Sequence, residues 1–341
     1  MKKAYDDKIW AILVHLTNDQ WVNDDNNKPM WEVFDDEMWD YIVEQSAKCE
    51  LNTIVLDCGN GIEYASHPEI VKEGAWTRKK VRDEIKRCKA LGISLIPKLN
   101  FATPHDMWLG KYARMVSTEE YYKVANDLIK EVYELFDHPE YIHLGMDEED
   151  AKHVAKHEFA LYRQGELYWH DLRFLIDCVA DTGAKPWIWT CPLFDFTEEY
   201  IKRIGVDEVV LSPWYYNAFR KEHWTPISSR EVYVTYYNEG QYKDMGLEFV
   251  EEDPFLVNVR AKAVPLAKEH GYKYIPCASV CNRCDYNTSD LLEYFKENLP
   301  DEQILGYITA PWCMTNKSEK CMIHFEESFR FLKEARDKFY R

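Results

Sequence analysis

Two adjacent carboxylates, Asp147 and Glu148, are the residues whose types and spacing best suit chemistry. They follow a short apolar segment, residues 141–146, whose side chains would alternate between two faces if it is a strand. The even-numbered positions are all apolar and should pack against helices, so Asp147 should point to the opposite, polar face. Glu148 can join it where the backbone leaves strand geometry. An acid pair in this position suits general acid–base catalysis.

The next two acids, Glu149 and Asp150, have a different interpretation. They fall in the following turn or in a first helical turn, where negative side chains interact favourably with the helix dipole. The run of four acids is therefore predicted to divide into a functional pair and two helix-start residues.

Eight β-rich segments must position these acids, and amphipathic helical patterns lie between them. Near-continuous apolar strands that alternate with helices indicate a parallel sheet buried on both faces. Eight such units predict an α/β fold, a single-domain (β/α)8 TIM barrel over residues 1–341. A doubly wound open sheet is the alternative, but no glycine-rich phosphate turn follows the first segment. The segments are 9–16, 52–58, 94–101, 141–147, 186–191, 208–214, 272–280 and 304–312, with 231–238 as a possible extra strand in the loop after the sixth.

Polar, acidic and aromatic side chains gather at the ends of these segments. In a barrel of this kind the active site forms where strands end and loops begin. A purely structural protein would show no such preference for the strand ends. The residues found there are Asp57, Asn60, Asn100, His105, Trp108, Asp147, Glu148, Trp189, Trp214, Tyr215, Tyr216, Cys281, Cys284 and Trp312.

The composition limits the classes of partner. A net charge of −18 without a basic stripe would repel phosphate backbones, so no nucleic-acid partner is expected. The sequence lacks a run of about 18 apolar residues, so no membrane span is predicted. Its acidic start does not resemble a signal peptide and its ten cysteines fit a reducing compartment, which together predict a cytoplasmic location. Twelve tryptophans suit a pocket that stacks against sugar rings.

Three segments carry a family resemblance. Residues 143–148, "HLGMDE", resemble the His-x-Gly-Gly-Asp-Glu motif of glycoside hydrolase family 20, the β-N-acetylhexosaminidases. Residues 96–105, "IPKLNFATPH", resemble that family's Ile-Pro-Glu-x-Asp-x-Pro-Gly-His segment and place His105 at its histidine. Residues 15–21, "HLTNDQW", look like its His-Leu-Thr-Asp-Asp-Gln-Gly-Trp segment. The chain is similar to a bacterial group of such barrels.

The resemblance implies retaining, substrate-assisted cleavage of a terminal 2-acetamido sugar of the GlcNAc or GalNAc type, with no cofactor and no metal. The acetamido oxygen would attack the anomeric carbon, while Glu148 would protonate the leaving oxygen and later deprotonate water. Asp147 would stay ionised and orient the acetamido N–H. Glu148 would need a raised pKa, which aromatic walls and Asp147 are expected to supply. The predicted substrate-binding residues are His105, Asn100, Asp57, Trp108, Trp189, Trp214, Tyr215 and Trp312.

The sequence also departs from the family pattern. The first strand holds no substrate-binding arginine, and Lys98 and Asn100 replace a glutamate and an aspartate. Trp312 is followed by Cys313 and Met314 where the family has Trp-x-Glu. These changes alter the contacts to sugar hydroxyls, and they motivate an alternative: a carbohydrate-binding barrel that has lost catalysis.

Two further alternatives involve a metal ion. Thiols at the strand ends suit zinc, although a second Cys-x-x-Cys motif is missing. A divalent-metal sugar isomerase or epimerase on the same barrel would use oxygen and nitrogen ligands. The glycosidase is preferred, with a small carbohydrate or glycoside as its partner and the oligomeric state left open. The ligands would be Cys281, Cys284, Cys191 and Cys313 for zinc, and Asp57, Asp147, Glu148 and His105 for the isomerase.

Overall fold

The computed structural model describes residues 7–19, 28–155, 157–216, 262–281 and 284–341. Eight parallel strands form one sheet: β1 Ile9–His15, β2 Thr53–Asp57, β3 Ser94–Lys98, β4 Tyr141–Gly145, β5 Lys185–Trp189, β6 Val210–Ser212, β7 Cys277–Ala278 and β8 Gly306–Thr309. Their order is β6-β5-β4-β3-β2-β1-β8-β7. Bridges from Leu211 to Tyr274 and from Trp214 to Cys277 join the two edges, so the barrel is nearly closed. The predicted (β/α)8 TIM barrel is confirmed.

Helices surround the barrel and connect its strands. Several begin at a residue whose side chain caps the first turn: Asp35, Thr77 and Thr118 each accept a backbone N–H two or three residues further on. The α-helices of the described ranges are α1 Met30–Val33, α2 Asp36–Lys48, α3 Arg78–Ala90, α4 Glu119–Leu135, α5 Ala151–Val154, α6 Gly165–Ala180, α7 Cys191–Asp195, α8 Thr197–Arg203, α9 Val264–His270, α10 Asn287–Asn298 and α11 Glu319–Tyr340.

The strand side chains divide between two apolar clusters. The inner cluster fills the barrel and includes Val55 and Trp187, while the outer cluster joins the opposite strand faces to the helices. On β4, Ile142 and Leu144 belong to the outer cluster. His143 lies inside, with its ring centroid 5.1 Å from that of Trp187. The predicted alternation of side chains between the two faces of β4 is confirmed. Asp147, which follows the strand, lies at the barrel mouth.

Three sequence-based expectations concern the chain as a whole. Within the described ranges, no helix has both the length and the apolar character needed to cross a membrane. The possible extra strand at 231–238 lies outside the described residues. That residues 1–341 form one domain stays a prediction.

Candidate active site

The backbone turns sharply where β4 ends. The pairing with β5 shifts register between His143 and Gly145, and Gly145 has a φ of 72°. Met146 and Glu148 also have left-handed φ values, 66° and 57°. Such conformations are costly for residues with a Cβ and are typical of functional sites. This irregular path lets Asp147 and Glu148, here called the acid pair, face the barrel mouth together.

His105 and Asn100, from the chain after β3, contact the acid pair. His105 Nε2 lies 3.2 Å from Glu148 Oε2 and 3.5 Å from Asp147 Oδ2. Asn100 Nδ2 donates to Asp147 Oδ1 at 2.9 Å. An amide N–H needs an acceptor, and Asp147 Oδ1 supplies it. Two predicted substrate-binding residues are therefore brought together with the predicted catalytic ones.

The Asn100 side chain is held on its other side by the β4 turn. Its Oδ1 accepts the backbone N–H groups of Ala102, at 3.1 Å, and Met146, at 3.3 Å. This close approach requires the glycine at 145, since a Cβ there would lie 1.9 Å from Asn100 Oδ1. The side-chain amide of Asn100 thus bridges the backbone of the β4 turn and the carboxyl group of Asp147.

Replacing Gly145 by alanine is expected to lower the turnover of any reaction that uses Asp147. The new Cβ would push Asn100 away and break a hydrogen bond to a charged group, a loss of about 1.5–3 kcal/mol, or roughly 10–100-fold in kcat/KM. Gly92→Ala is the matched control, because Gly92 has a φ of 75° with no atom within 4 Å of the added Cβ. Equal effects of the two variants would contradict the role given to Asn100.

The charges around the acid pair determine which group holds its proton. Burial lowers the pKa of His105, but Asp147 and Glu148 outweigh it and raise that pKa to about 9. Burial raises the pKa of Glu148, but the hydrogen bond and charge of His105 and the charge of His153 lower it overall. At neutral pH the imidazole of His105 is therefore protonated and Glu148 is ionised. The expectation that Glu148 has a raised pKa is corrected, because two imidazoles face its carboxyl group.

The two remaining acids of the run have different environments. Asp150 accepts the backbone N–H groups of Lys152 and His153 and caps α5, as predicted. The side chain of Glu149 is instead 3% exposed, with Arg163 Nε donating to its Oε1 at 2.6 Å and Arg163 Nη2 donating to its Oε2. The prediction of a helix-start role for Glu149 is wrong, because a guanidinium 14 positions further along the chain buries it.

An aromatic wall, Trp189, Trp214, Tyr216 and Trp312, forms at the ends of β5, β6 and β8. Trp214 and Tyr216 stack with centroids 5.2 Å apart, and Trp312 lies 6.1 Å from Tyr216 and 5.8 Å from Trp189. Trp189 belongs to the inner cluster and is 1% exposed, so its contact with substrate stays a prediction. Tyr215, which was predicted to bind substrate, packs in the outer cluster and is 3% exposed. Its neighbour Tyr216 shares the face of Trp214, a two-residue alternation that the sequence already contained.

Trp108 lies in the core behind Asn100. It is 1% exposed, and its indole N–H donates to the backbone oxygen of Asn100 at 2.7 Å. Its ring packs edge-on against Phe101 at 5.6 Å. This position supports the chain that carries Asn100, and a direct contact of Trp108 with substrate stays a prediction.

A buried polar layer, His15, Asp57 and Lys98, lies on β1, β2 and β3 inside the barrel. The three residues are in register on neighbouring strands and nearly fully buried. His15 Nδ1 lies 3.1 Å from Asp57 Oδ2, and Lys98 Nζ donates to the same oxygen. Burial raises the pKa of Asp57, but Lys98 and His15 outweigh it and hold that pKa well below its usual range. Asp57 is thus paired beneath the site, and its contact with substrate stays a prediction.

The residues predicted to bind metal are only partly brought together. One oxygen each of Asp147 and Glu148 and a nitrogen of His105 lie within 4.8 Å of one another, a spacing that fits a divalent cation. Asp57 is not part of this group. A cation would have to displace the proton that His105 holds up to about pH 9. Across the described ranges, no group of three or more ligand atoms includes a cysteine.

No protein-family model and no curated protein matches the sequence. Solved structures are similar in fold. A β-N-acetylhexosaminidase from Bacteroides fragilis is 13% identical with a TM-score of 0.58, and the match covers 98% of this chain and 66% of that one. A family 20 β-N-acetylhexosaminidase from Streptomyces coelicolor is 11% identical with a TM-score of 0.59, covering 95% and 64%.

A third structure is the family 20 exo-β-N-acetylglucosaminidase from Vibrio harveyi in complex with N-acetylglucosamine. It is 13% identical with a TM-score of 0.55, and the match covers 98% of this chain and 59% of that one. The chain spans less than two thirds of the length of all three structures. By fold, it is a (β/α)8 barrel similar to those of the glycoside hydrolase family 20 β-N-acetylhexosaminidases.

Proposed function

We propose that the protein is a retaining glycoside hydrolase that cleaves a terminal 2-acetamido sugar, of the GlcNAc or GalNAc type, by substrate-assisted catalysis. The observation that carries this proposal is the acid pair at one barrel mouth, where both members contact His105 and only Asp147 also accepts from Asn100. Three partly exposed rings of the aromatic wall, Trp214, Tyr216 and Trp312, offer the flat apolar surfaces on which sugar rings stack. The fold similarity to an enzyme bound to N-acetylglucosamine supports the same substrate class.

Asp147 would act on the acetamido group. Its Oδ1 accepts from Asn100, and the carboxyl oxygens have further lone pairs that would accept the acetamido N–H. That contact orients the acetamido oxygen toward the anomeric carbon and stabilises the positive charge that develops as the ring forms. The substrate thus supplies the nucleophile, and Asp147 positions it.

Glu148 would act on the leaving group and then on water. It needs a proton in the first step, and the hydrogen bond from His105 offers one at 3.2 Å. When a sugar excludes water, the charge-separated imidazolium–carboxylate pair loses solvation, which favours transfer of this proton to Glu148. Glu148 can then protonate the leaving oxygen and later accept a proton from the attacking water.

An inhibitor and a chelator separate this proposal from its alternatives. We expect a thiazoline analogue of GlcNAc to inhibit turnover of aryl 2-acetamido glycosides competitively, because it resembles the cyclised intermediate. We also expect the same rate before and after dialysis against a chelator. Loss of activity with the chelator and recovery with a divalent metal would favour the isomerase. Binding of the thiazoline without turnover of any glycoside would favour the non-catalytic barrel.

A further inference from the structure

The buried ion pair of Glu149 and Arg163 begins directly beside the acid pair. Glu149 follows Glu148 in the β4 turn, and its side chain is 3% exposed, against 1% for that of Arg163. Glu149 Oε1 accepts the backbone N–H of Arg163 at 2.9 Å and its Nε–H at 2.6 Å, while Oε2 accepts from Nη2. Because one residue binds both carboxylate oxygens, the side chain of Glu149 has a single defined orientation.

The same two side chains also bind the chain after β3. Arg163 Nη2 donates to the backbone oxygen of Phe101 at 2.7 Å, and the backbone N–H of Thr103 donates to Glu149 Oε2 at 3.4 Å. Both backbone positions lie in a short segment, residues 100–105, that carries the two side chains in contact with the acid pair. The ion pair therefore joins the two parts of the chain that meet in the site.

Arg163 is itself anchored to two long helices. Its Nη1 donates to Oδ2 of Asp171, a fully buried residue of α6, at 3.4 Å. Asp171 also accepts from the hydroxyl groups of Ser117 and of Tyr122 on α4, each at 2.6 Å. The two helices pack together there, with the ring centroids of Tyr122 and Phe174 4.8 Å apart. The guanidinium is thus fixed by the helices as well as by the loops that it joins.

We propose that Arg163 is a positioning residue that holds the β4 turn against the chain after β3. Through these contacts it sets how closely Asn100 and His105 approach the acid pair. The inference rests on the proposed glycosidase function, and it assigns Arg163 no contact with the sugar. A guanidinium suits this role because its planar fork of N–H groups binds a carboxylate, a carbonyl oxygen and a second carboxylate at the same time.

The proposed reaction depends on such positioning. Asp147 must orient the acetamido group while Glu148 faces the leaving oxygen, and both carboxyl groups stand on the turn that Arg163 holds. A misplacement of about 1 Å, caused from outside the reacting groups, can cost on the order of 100-fold in rate. A buried ion pair that only stabilised the fold would affect stability without this preference for the site.

Arg163→Lys tests the role, because lysine keeps the positive charge but cannot reach all the partners of the guanidinium at once. We expect kcat for phenyl and dinitrophenyl 2-acetamido glycosides to fall by about 10–100-fold. KM should change less, since the exposed rings of the aromatic wall stand on other strands. Both substrates should be affected, because Asp147 acts on the acetamido group whatever the leaving group is.

Arg336→Lys is the matched control. The side chain of Arg336 is also 1% exposed, and it donates to the backbone oxygens of Cys49 and Glu50, at 2.8 and 2.9 Å, ahead of β2 at the opposite end of the barrel. Lysine there should lower the midpoint of chemical denaturation, as Arg163→Lys does, but should leave kcat unchanged. An equal fall of kcat in the two variants, or no fall in Arg163→Lys, would overturn the inference.

Glu149→Gln is the second variant, and it decides the matter if Arg163→Lys does not fold. The amide keeps one acceptor oxygen but cannot accept on its nitrogen, so part of the bonding to Arg163 is lost. A smaller fall of kcat on both substrates is expected. Full activity of this variant would then contradict the positioning role.

A crystal structure of Arg163→Lys tests the inference without activity. In wild type, Asn100 Nδ2 lies 2.9 Å from Asp147 Oδ1. His105 Nε2 lies 3.2 Å from Glu148 Oε2. At least one of these distances should lengthen beyond about 3.5 Å in the variant, and no change in either would overturn the inference. If wild type cleaves none of the glycosides, the proposed function fails, and these distances alone then decide whether Arg163 positions the site.

Discussion

Replacing Glu148 by glutamine should lower kcat for a phenyl 2-acetamido glycoside by about 10²–10⁴-fold, the usual contribution of a general acid–base group. The amide can neither protonate the leaving oxygen nor accept a proton from water. The loss should be smaller with a dinitrophenyl leaving group, which departs without protonation. Steady-state kinetics on both substrates measures the difference, and binding of the thiazoline analogue shows that the pocket is intact.

Glu158→Gln is the control for this substitution, because Glu158 is 82% exposed and pairs with Arg114 at 2.6 Å. It should change neither substrate's kinetics. Full activity of Glu148→Gln on the phenyl substrate would rule out the role of Glu148 as the acid.

The wild-type rate on the phenyl glycoside should also fall above about pH 9, where His105 loses the proton that it shares with Glu148.

Replacing Lys98 by methionine should lower the free energy of unfolding by about 3–5 kcal/mol, because it leaves the buried carboxylate of Asp57 without its cation. Chemical denaturation at neutral pH measures this change. The double variant Lys98→Met/Asp57→Asn should recover part of it, since the unpaired charge is gone. Lys79→Met is the control: Lys79 is 86% exposed and pairs with Asp83 on the same helix, so about 0–1 kcal/mol is expected.

The stability that comes from Asp57 should also depend on pH in a defined direction. Its folded-state pKa is depressed relative to about 3.9 in an unfolded chain. The stabilisation is therefore fully present above the unfolded pKa and is lost as the pH falls toward the folded one. A Lys98→Met variant as stable as wild type at neutral pH would contradict the charge pairing in the barrel.

Much of the fold and part of the site follow from local patterns. Strand alternation around β4 is enough to separate Ile142 and Leu144 from Asp147, because a two-residue period needs no knowledge of the rest of the chain. The same rule would have selected Tyr216 over Tyr215, since Trp214 and Tyr216 stand two positions apart.

The electrostatics of the site do not follow from local patterns. Glu149 and Asp150 are neighbours in sequence, yet Arg163 buries one and the other caps a helix. The pKa of Glu148 depends on His105, 43 positions away, and on His153, which stands on the far side of the same carboxyl group. The repulsion between adjacent acids predicts a raised pKa for Glu148. The tertiary structure instead places two imidazoles, His105 and His153, beside its carboxyl group, and they lower that pKa.

The left-handed backbone at Met146, Glu148 and Trp312 has a consequence for engineering this protein. Each non-glycine residue in that conformation costs about 1–2 kcal/mol, so a search for thermostable variants based on backbone geometry would include these positions among its candidates. Glycine at these positions would remove the backbone strain. It would also let the backbone adopt more conformations where it positions the acid pair and the aromatic wall. Such a search would have to leave these three positions out and keep to the left-handed residues away from the barrel mouth, such as Glu50 and Asp137.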